Sequence, residues 1–420
     1  MKFDILAEDL RLNRLKLHFR NQPIANIPQR VQSEMACFRQ RVFPGMRIAV
    51  AAGSRGISNY AVIVGEAVRQ LQQMGAKVFI VPAMGSHGGA TAEGQREVLA
   101  GYGITEETMG VPISSSMETV ILGQLPEDSS CSVYMDRFAY EADAVLVINR
   151  VKAHTDFHGE HESGLVKMLS IGLGKHVQAL SIHCRLTTGL RDYIPAISRQ
   201  IIASGKVLGG LAIVEDGYEQ TSILKGVLAE ELMHEDKCLL QIAKEMMPRL
   251  PFSHCHVLIV DQVGKNISGT GMDPNVIGRI GIRGQENGLP NIERICALDI
   301  TEQSHGNAAG IGLSDIITER LRQKVNWHDT YENILTTRAL ERGFMPIVLP
   351  TDQQAIEAAI CGAEKMPRNT LKLARIRDTL HIDTLLVTDA LLAQLSGDVE
   401  VLEQGVPLTF DKNGLITSPW

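Results

Sequence analysis

Residues 47–99 contain the same pattern twice, and that repetition constrains the fold more than any other feature. The apolar run Arg47 to Ala52 is followed by Gly53-Ser54-Arg55-Gly56, and an amphipathic helix is predicted over 60–74, closed by Gly75. A second apolar run, Lys77 to Pro82, meets Gly85-Ser86-His87-Gly88-Gly89, and a second helix is predicted over 91–99. Strand, glycine turn and helix in that order make the βα unit of a parallel sheet. Ligands of such sheets gather at the carboxyl ends of the strands, where Arg55 and His87 would emerge.

The rest of the chain extends the pattern. A strand over 142–149 leads into a histidine-rich segment, and another over 257–261 starts after Pro248, Pro251 and Phe252. At 420 residues the chain exceeds one core, and 38 glycines with only 5% aromatic residues suit α/β layers joined by tight turns. The expected architecture is two α/β domains with largely parallel sheets and an active site in the cleft between them. The first domain spans 1–252, the second spans 253–404, and a tail over about 405–420 packs back on the first. A net charge of −7 gives no general attraction to nucleic acid or acidic membranes. No apolar run approaches the roughly 18 residues that a membrane helix needs. The acidic start of the chain does not read as a signal peptide, so a cytoplasmic location is expected. The 7 cysteines are scattered without a CxxC pair, so neither a disulfide framework nor a cysteine–zinc site is indicated.

The 13 histidines are bunched. His154, His158, His161, His176 and His183 fall within thirty residues, beside Lys167, Lys175 and a buried strand end. Imidazoles titrate near neutrality and bind metals, while lysines bind anions or form covalent adducts. Zinc chemistry at His154, His158 and His161 is one reading, although HExxH is absent. Neither GxxxxGK[ST] nor GxGxxG occurs where a phosphate loop or dinucleotide site would need it. The 85–89 turn has the composition of an oxyanion or phosphate turn. The polar stretch over 260–271, with Gln262 and Lys265, is placed to face a cleft.

Taken together, these segments resemble the lactate racemase family, nickel-dependent racemases and epimerases of 2-hydroxy acids, over most of the chain. The resemblance implies a nickel pincer nucleotide, a pyridinium mononucleotide with two sulfur-bearing arms, tethered to lysine and holding nickel. Lys167, in Glu162-Ser163-Gly164-Leu165-Val166-Lys167, matches the tethering lysine. His183, sixteen residues on, matches the nickel-ligating histidine. His87 and His154 match the two acid/base histidines, Arg55 the arginine of the first βα turn, and Gln262 and Lys265 a substrate-binding pair. Two departures bear on substrate identity. Ala52 stands where lactate racemase carries an acid. The 154–167 segment is also longer, which makes His158 and His161 alternative second bases. The implied partners are a small 2-hydroxy acid and cofactor-maturation proteins. The alternatives are a zinc hydrolase or lyase built on His154, His158 and His161, and a non-catalytic metal- or nucleotide-binding homologue.

Overall fold

A computed structural model describes residues 4–54, 56–283, 285 and 288–420. The chain divides into two compact units, one of residues 20–247 and one that joins residues 1–19 to 248–420. Both are mixed α/β structures with largely parallel sheets.

In the 20–247 unit the sheet order is β3 (Lys77–Pro82), β2 (Arg47–Ala52), β6 (Ala144–Arg150), β7 (Val207–Glu215), β8 (Thr221–Leu228). The first four strands are parallel and β8 runs antiparallel to β7. Both faces of this sheet are covered, so its strands are continuous apolar runs rather than alternating ones. Ala49, Ala51, Val145 and Val147 enter one core, and Ile48, Val50, Leu146 and Ile148 enter the other. Helix Tyr60–Gln73 packs on the second face through Ile63, Val64, Ala67, Val68 and Leu71, the i, i+3, i+4 stripe that its sequence spells. Gly75 ends the helix at φ +94°, and the amide of Ala76 returns to Leu71 O at 3.1 Å, closing a Schellman turn. The opposite face carries helices Ile194–Ala203 and Leu232–Met246. A hairpin of β4 (Thr119–Leu125) and β5 (Asp128–Asp136) completes the unit.

The other unit holds an eight-stranded sheet: β12 (Ile347–Leu349), β11 (Ile316–Thr318), β10 (Asn291–Ile300), β9 (His254–Val263), β13 (Leu373–Ile376), β14 (Thr384–Val387), β1 (Arg11–Leu17), β15 (Val399–Pro407). Here the structure corrects the expected domain limits. Strand β1 lies between β14 and β15, antiparallel to both, so residues 1–19 belong with the second sheet and not with the first domain. Leu12, Leu15 and Leu17 are buried there. The tail also packs on this unit. Leu408 is buried in its core, the amide of Ile416 donates to Asp352 Oδ2 at 3.0 Å, and Trp420 Nε1 donates to Asp261 Oδ2 at 3.0 Å. The physical reason is strand pairing: β1 supplies the hydrogen-bonding edges that β14 and β15 lack, and β15 delivers the tail beside it.

The two units make separate predictions as fragments. Residues 20–247 should unfold cooperatively in urea as an isolated fragment. Residues 248–420 should show native-like circular dichroism only when residues 4–19 are supplied in the same chain or as an added peptide.

Candidate functional site

Pairing β2 with both β3 and β6 brings three carboxyl ends side by side. The phenol of Tyr60 secures two of them: it accepts from Gly53 N at 2.6 Å and donates to Ile148 O at 3.2 Å. Burial pushes its pKa far above the ordinary value, so it stays a neutral donor. Beyond β2, the Ser54 hydroxyl is hydrogen-bonded to His87 Nδ1, joining the first glycine turn to the second. Gly88 has φ +65°, and a Cβ there would lie 2.5 Å from the Gly94 carbonyl carbon, so this position admits no side chain. Arg55 lies outside the described residues.

Beyond β6 the chain forms a closed loop. Lys152 and Ser163 pair antiparallel through two backbone bonds of 2.8 and 3.2 Å, and the ten residues 153–162 are looped out above that neck. The carboxylate of Glu162 is the loop's internal anchor. It accepts from His154 N at 2.7 Å and Gly159 N at 3.1 Å, meets His158 Nδ1 at 3.4 Å, and pairs with Lys244 Nζ at 2.6 Å. Burial alone would raise its pKa. The bonds from His158, Lys244 and the His154 amide outweigh that cost and hold it below the ordinary value. His161, nearly buried, pairs through Nδ1 with Asp236 Oδ2 at 3.0 Å. Asp236 Oδ1 in turn accepts from the amides of Leu165 and Val166 at 2.6 and 3.3 Å, which fixes the start of the Leu165–Lys167 turn. His158 and His161 therefore serve the loop's own architecture and do not converge with His154. No group of metal-ligating side chains forms from those three among the described residues.

His154 points elsewhere. Its ring packs against the buried Phe157 with centroids 4.7 Å apart, and its Nε2 lies 2.6 Å from Lys167 Nζ. The amide of Asp156 donates to Nδ1 at 3.0 Å. The amide bond to Nδ1 orients the ring, and Nε2 meets the lysine amine.

Lys167 ends the turn that continues through the π-helical Met168–Gly172 into helix Lys175–His183. His183 ends that helix. Burial is the largest of the forces that hold its pKa below the ordinary value. The charge of a protonated Lys167 adds to it, and the Asp156 carboxylate opposes it. The side chains of Lys167, Asp156 and His183 thus act on one another, and His183 is kept as a neutral imidazole, the form that binds metal. His176 has a buried Nδ1 with no hydrogen-bond partner among the described residues, which nothing in the structure explains.

Of the expected site residues, His87, His154, Lys167 and His183 lie in the 20–247 unit and Gln262 and Lys265 in the other. Gln262 sits at the end of β9, and Lys265 folds over its own loop to donate to Gly269 O at 2.7 Å. His254, His256 and Glu293 place ligand atoms within 4.8 Å of one another, a grouping the sequence did not suggest. The amide of Lys372 donates to His256 Nδ1 at 2.9 Å, which leaves the ring proton on Nε2, the atom that faces Glu293. A metal there would have to displace that proton, so the arrangement is an imidazole–carboxylate cluster. Sequence reasoning also missed Ser54, Asp156 and Glu162, whose roles depend on loop closure.

Fold and site together define an α/β protein of two units whose 20–247 unit gathers an amine, two imidazoles and a carboxylate beyond its sheet. No family model matches the chain, and no curated protein matches it. Two solved structures are similar in part. One is a protein from Thermotoga maritima, 13% identical, covering 78% of this chain and 85% of that one with a TM-score of 0.49. The other is the lactate racemase apoprotein from Thermoanaerobacterium thermosaccharolyticum, 12% identical, covering 91% and 88% with a TM-score of 0.46. At such identities and TM-scores neither likeness bears on activity. No helix among the described residues is long and apolar enough to cross a membrane.

One measurement checks this electrostatic picture. His183 binds fewer protons folded than unfolded just below pH 6.5. Its contribution to stability is therefore present above about pH 6.5 and lost as pH falls through the folded value. Urea unfolding should show that decline, and His183→Leu should flatten it.

Proposed function

We propose that the chain is a racemase or C2-epimerase of a 2-hydroxy acid that works with a nickel pincer nucleotide. The observation that carries this reading is the grouping of a lysine amine with its own imidazole partner beside a half-buried histidine whose pKa is held low. That donor set fits the group. Lys167 supplies a nucleophilic amine for covalent attachment, and His183 supplies one neutral nitrogen for nickel. A metal held mainly by the cofactor's own sulfurs needs no protein cysteine, in keeping with the scattered thiols.

Inverting such a substrate means breaking a C–H bond that no histidine is basic enough to ionise. When bound, the cofactor would supply an electrophilic pyridinium carbon, the chemistry of a reversible hydride acceptor. The chain's own residues handle the proton and the substrate. His87 and His154 take the hydroxyl proton, one for each face of the substrate, and give it back after the ketoacid has turned. The hydrogen bond between Ser54 and His87 orients that ring, and the Asp156 amide orients His154. Arg55 would grip the carboxylate or the oxygen by a forked pair of bonds. Gln262 and Lys265 orient substrate or cofactor. Cofactor-maturation proteins are the implied partners, and the cytoplasm the implied location.

A zinc hydrolase built on the 154–161 histidines has less support, because those three rings do not bring their ligand atoms together among the described residues. A non-catalytic homologue is separated from an enzyme by experiment. Protein produced with nickel and the cofactor-making accessory proteins should gain the mass of one nucleotide adduct on Lys167 and racemise a member of a panel of enantiopure 2-hydroxy acids. Lys167→Ala should remove adduct and activity together. His87→Ala should keep the adduct and lose about 10²–10⁴-fold in turnover, the usual worth of a proton-transfer group. Bound zinc with an unmodified Lys167 would sink the proposal.

A further inference from the structure

Gln95 has no part in the chemistry described so far, yet it is completely buried beneath the turn that carries His87. A buried amide costs stability unless both its donor and acceptor are used. Here both are. Nε2 donates to Gly85 O at 2.9 Å and to His87 O at 3.3 Å, and Oε1 accepts from Lys175 Nζ at 3.2 Å. Lys175 is also fully buried and sits in the left-handed region at φ +56°. Its ammonium donates to Pro82 O at 2.5 Å and stands 3.0 Å from Asp136 Oδ2, a carboxylate that is itself fully buried. Burial pulls the Lys175 pKa down and pushes that of Asp136 up, while each charge holds the other ionised.

The result is a continuous polar chain from Asp136 through Lys175 and Gln95 to the backbone of residues 85 and 87. Its Lys175 end starts the helix that finishes at His183, and its Gln95 end holds the turn whose His87 ring meets Ser54. The turn needs such a hold. Gly85, Gly88 and Gly89 all have positive φ and no side chains to pack, so its conformation is costly to order and open to rearrangement. Two carbonyl oxygens require donors and a lysine requires an acceptor, and a carboxamide provides both from one head group.

We propose that Gln95, held by Lys175, is the positioning residue for His87: it fixes the main chain of the Gly85–His87 turn so that the imidazole is delivered to Ser54 and to the substrate hydroxyl. This role rests on the reading of His87 as an acid/base group. The test therefore has one arm that needs no turnover. In the full-length protein without cofactor, carbethoxylation of His87 by diethyl pyrocarbonate is followed by peptide mass for wild type, Gln95→Met and Gln95→Glu. The exposed His18 serves as the internal standard.

Gln95→Glu keeps the size and the Lys175 contact but offers no donor to the carbonyls, so it remains informative if Gln95→Met fails to fold. Both variants should modify His87 several-fold faster than wild type relative to His18. With cofactor loaded, kcat should fall by about tenfold with KM nearly unchanged, as for a proton-transfer group misplaced but not removed. Wild-type carbethoxylation kinetics at His87 in a folded Gln95→Glu protein overturn the positioning role, whatever the enzyme does. Accelerated modification in a protein whose wild type never racemises keeps the positioning role and overturns the reading of the activity.

Discussion

The parallel pairing of β2 with β3 on one side and β6 on the other is the constraint on which the site depends. Parallel strands place their carboxyl ends at one edge of the sheet, and each end here exits into a segment that cannot pack by apolar contact alone. The exits are Gly53–Ser54, the glycine turn at 85–89, and the polar loop over 153–162. Backbone groups in such segments are obliged to find partners. They find them in a few buried polar side chains: Tyr60 for the first, Gln95 for the second, Glu162 for the third. These three side chains convert irregular chain into defined geometry.

The histidine-rich loop illustrates how like residues are separated into different work. His154, His158 and His161 lie within eight residues of one another, but only His154 reaches Lys167. His161 is spent on Asp236 and His158 on Glu162, and those acids in turn hold the backbone of the Lys167 turn and of His154. The supporting histidines and acids are thus as necessary to the amine–imidazole contact as the two residues that make it. The buried Lys175–Asp136 pair repeats the pattern on the other side. Its charges are costly to bury, and what they hold in register is the end of β3 and the start of the His183 helix.

Much of the fold was legible because both signals behind it are local. The strand Lys77–Pro82 and the helix Tyr60–Gln73 coincide with apolar periodicity and a terminal glycine, within one residue for the helix. The spacing of His154, Lys167 and His183 was legible too, as a concentration of chemistry beside a strand end. What the sequence did not disclose is pairing over long separations. Strand β1 joins β14, more than 360 residues away, and no pattern within seven residues of alternating burial names its partner. The tail was misplaced for the same reason.

By itself, then, the sequence determined the βα grammar, the parallel sheets and the region in which reactive groups accumulate, because hydrophobic period, glycine turns and residue type act over a few positions. The tertiary structure alone decided which of several equivalent imidazoles meets the lysine, which are retired into structural pairs, and to which unit the two ends of the chain belong. Those outcomes turn on the closure of one loop at Lys152–Ser163 and on edge strands that require a partner, and both are properties of chain segments brought together only by folding.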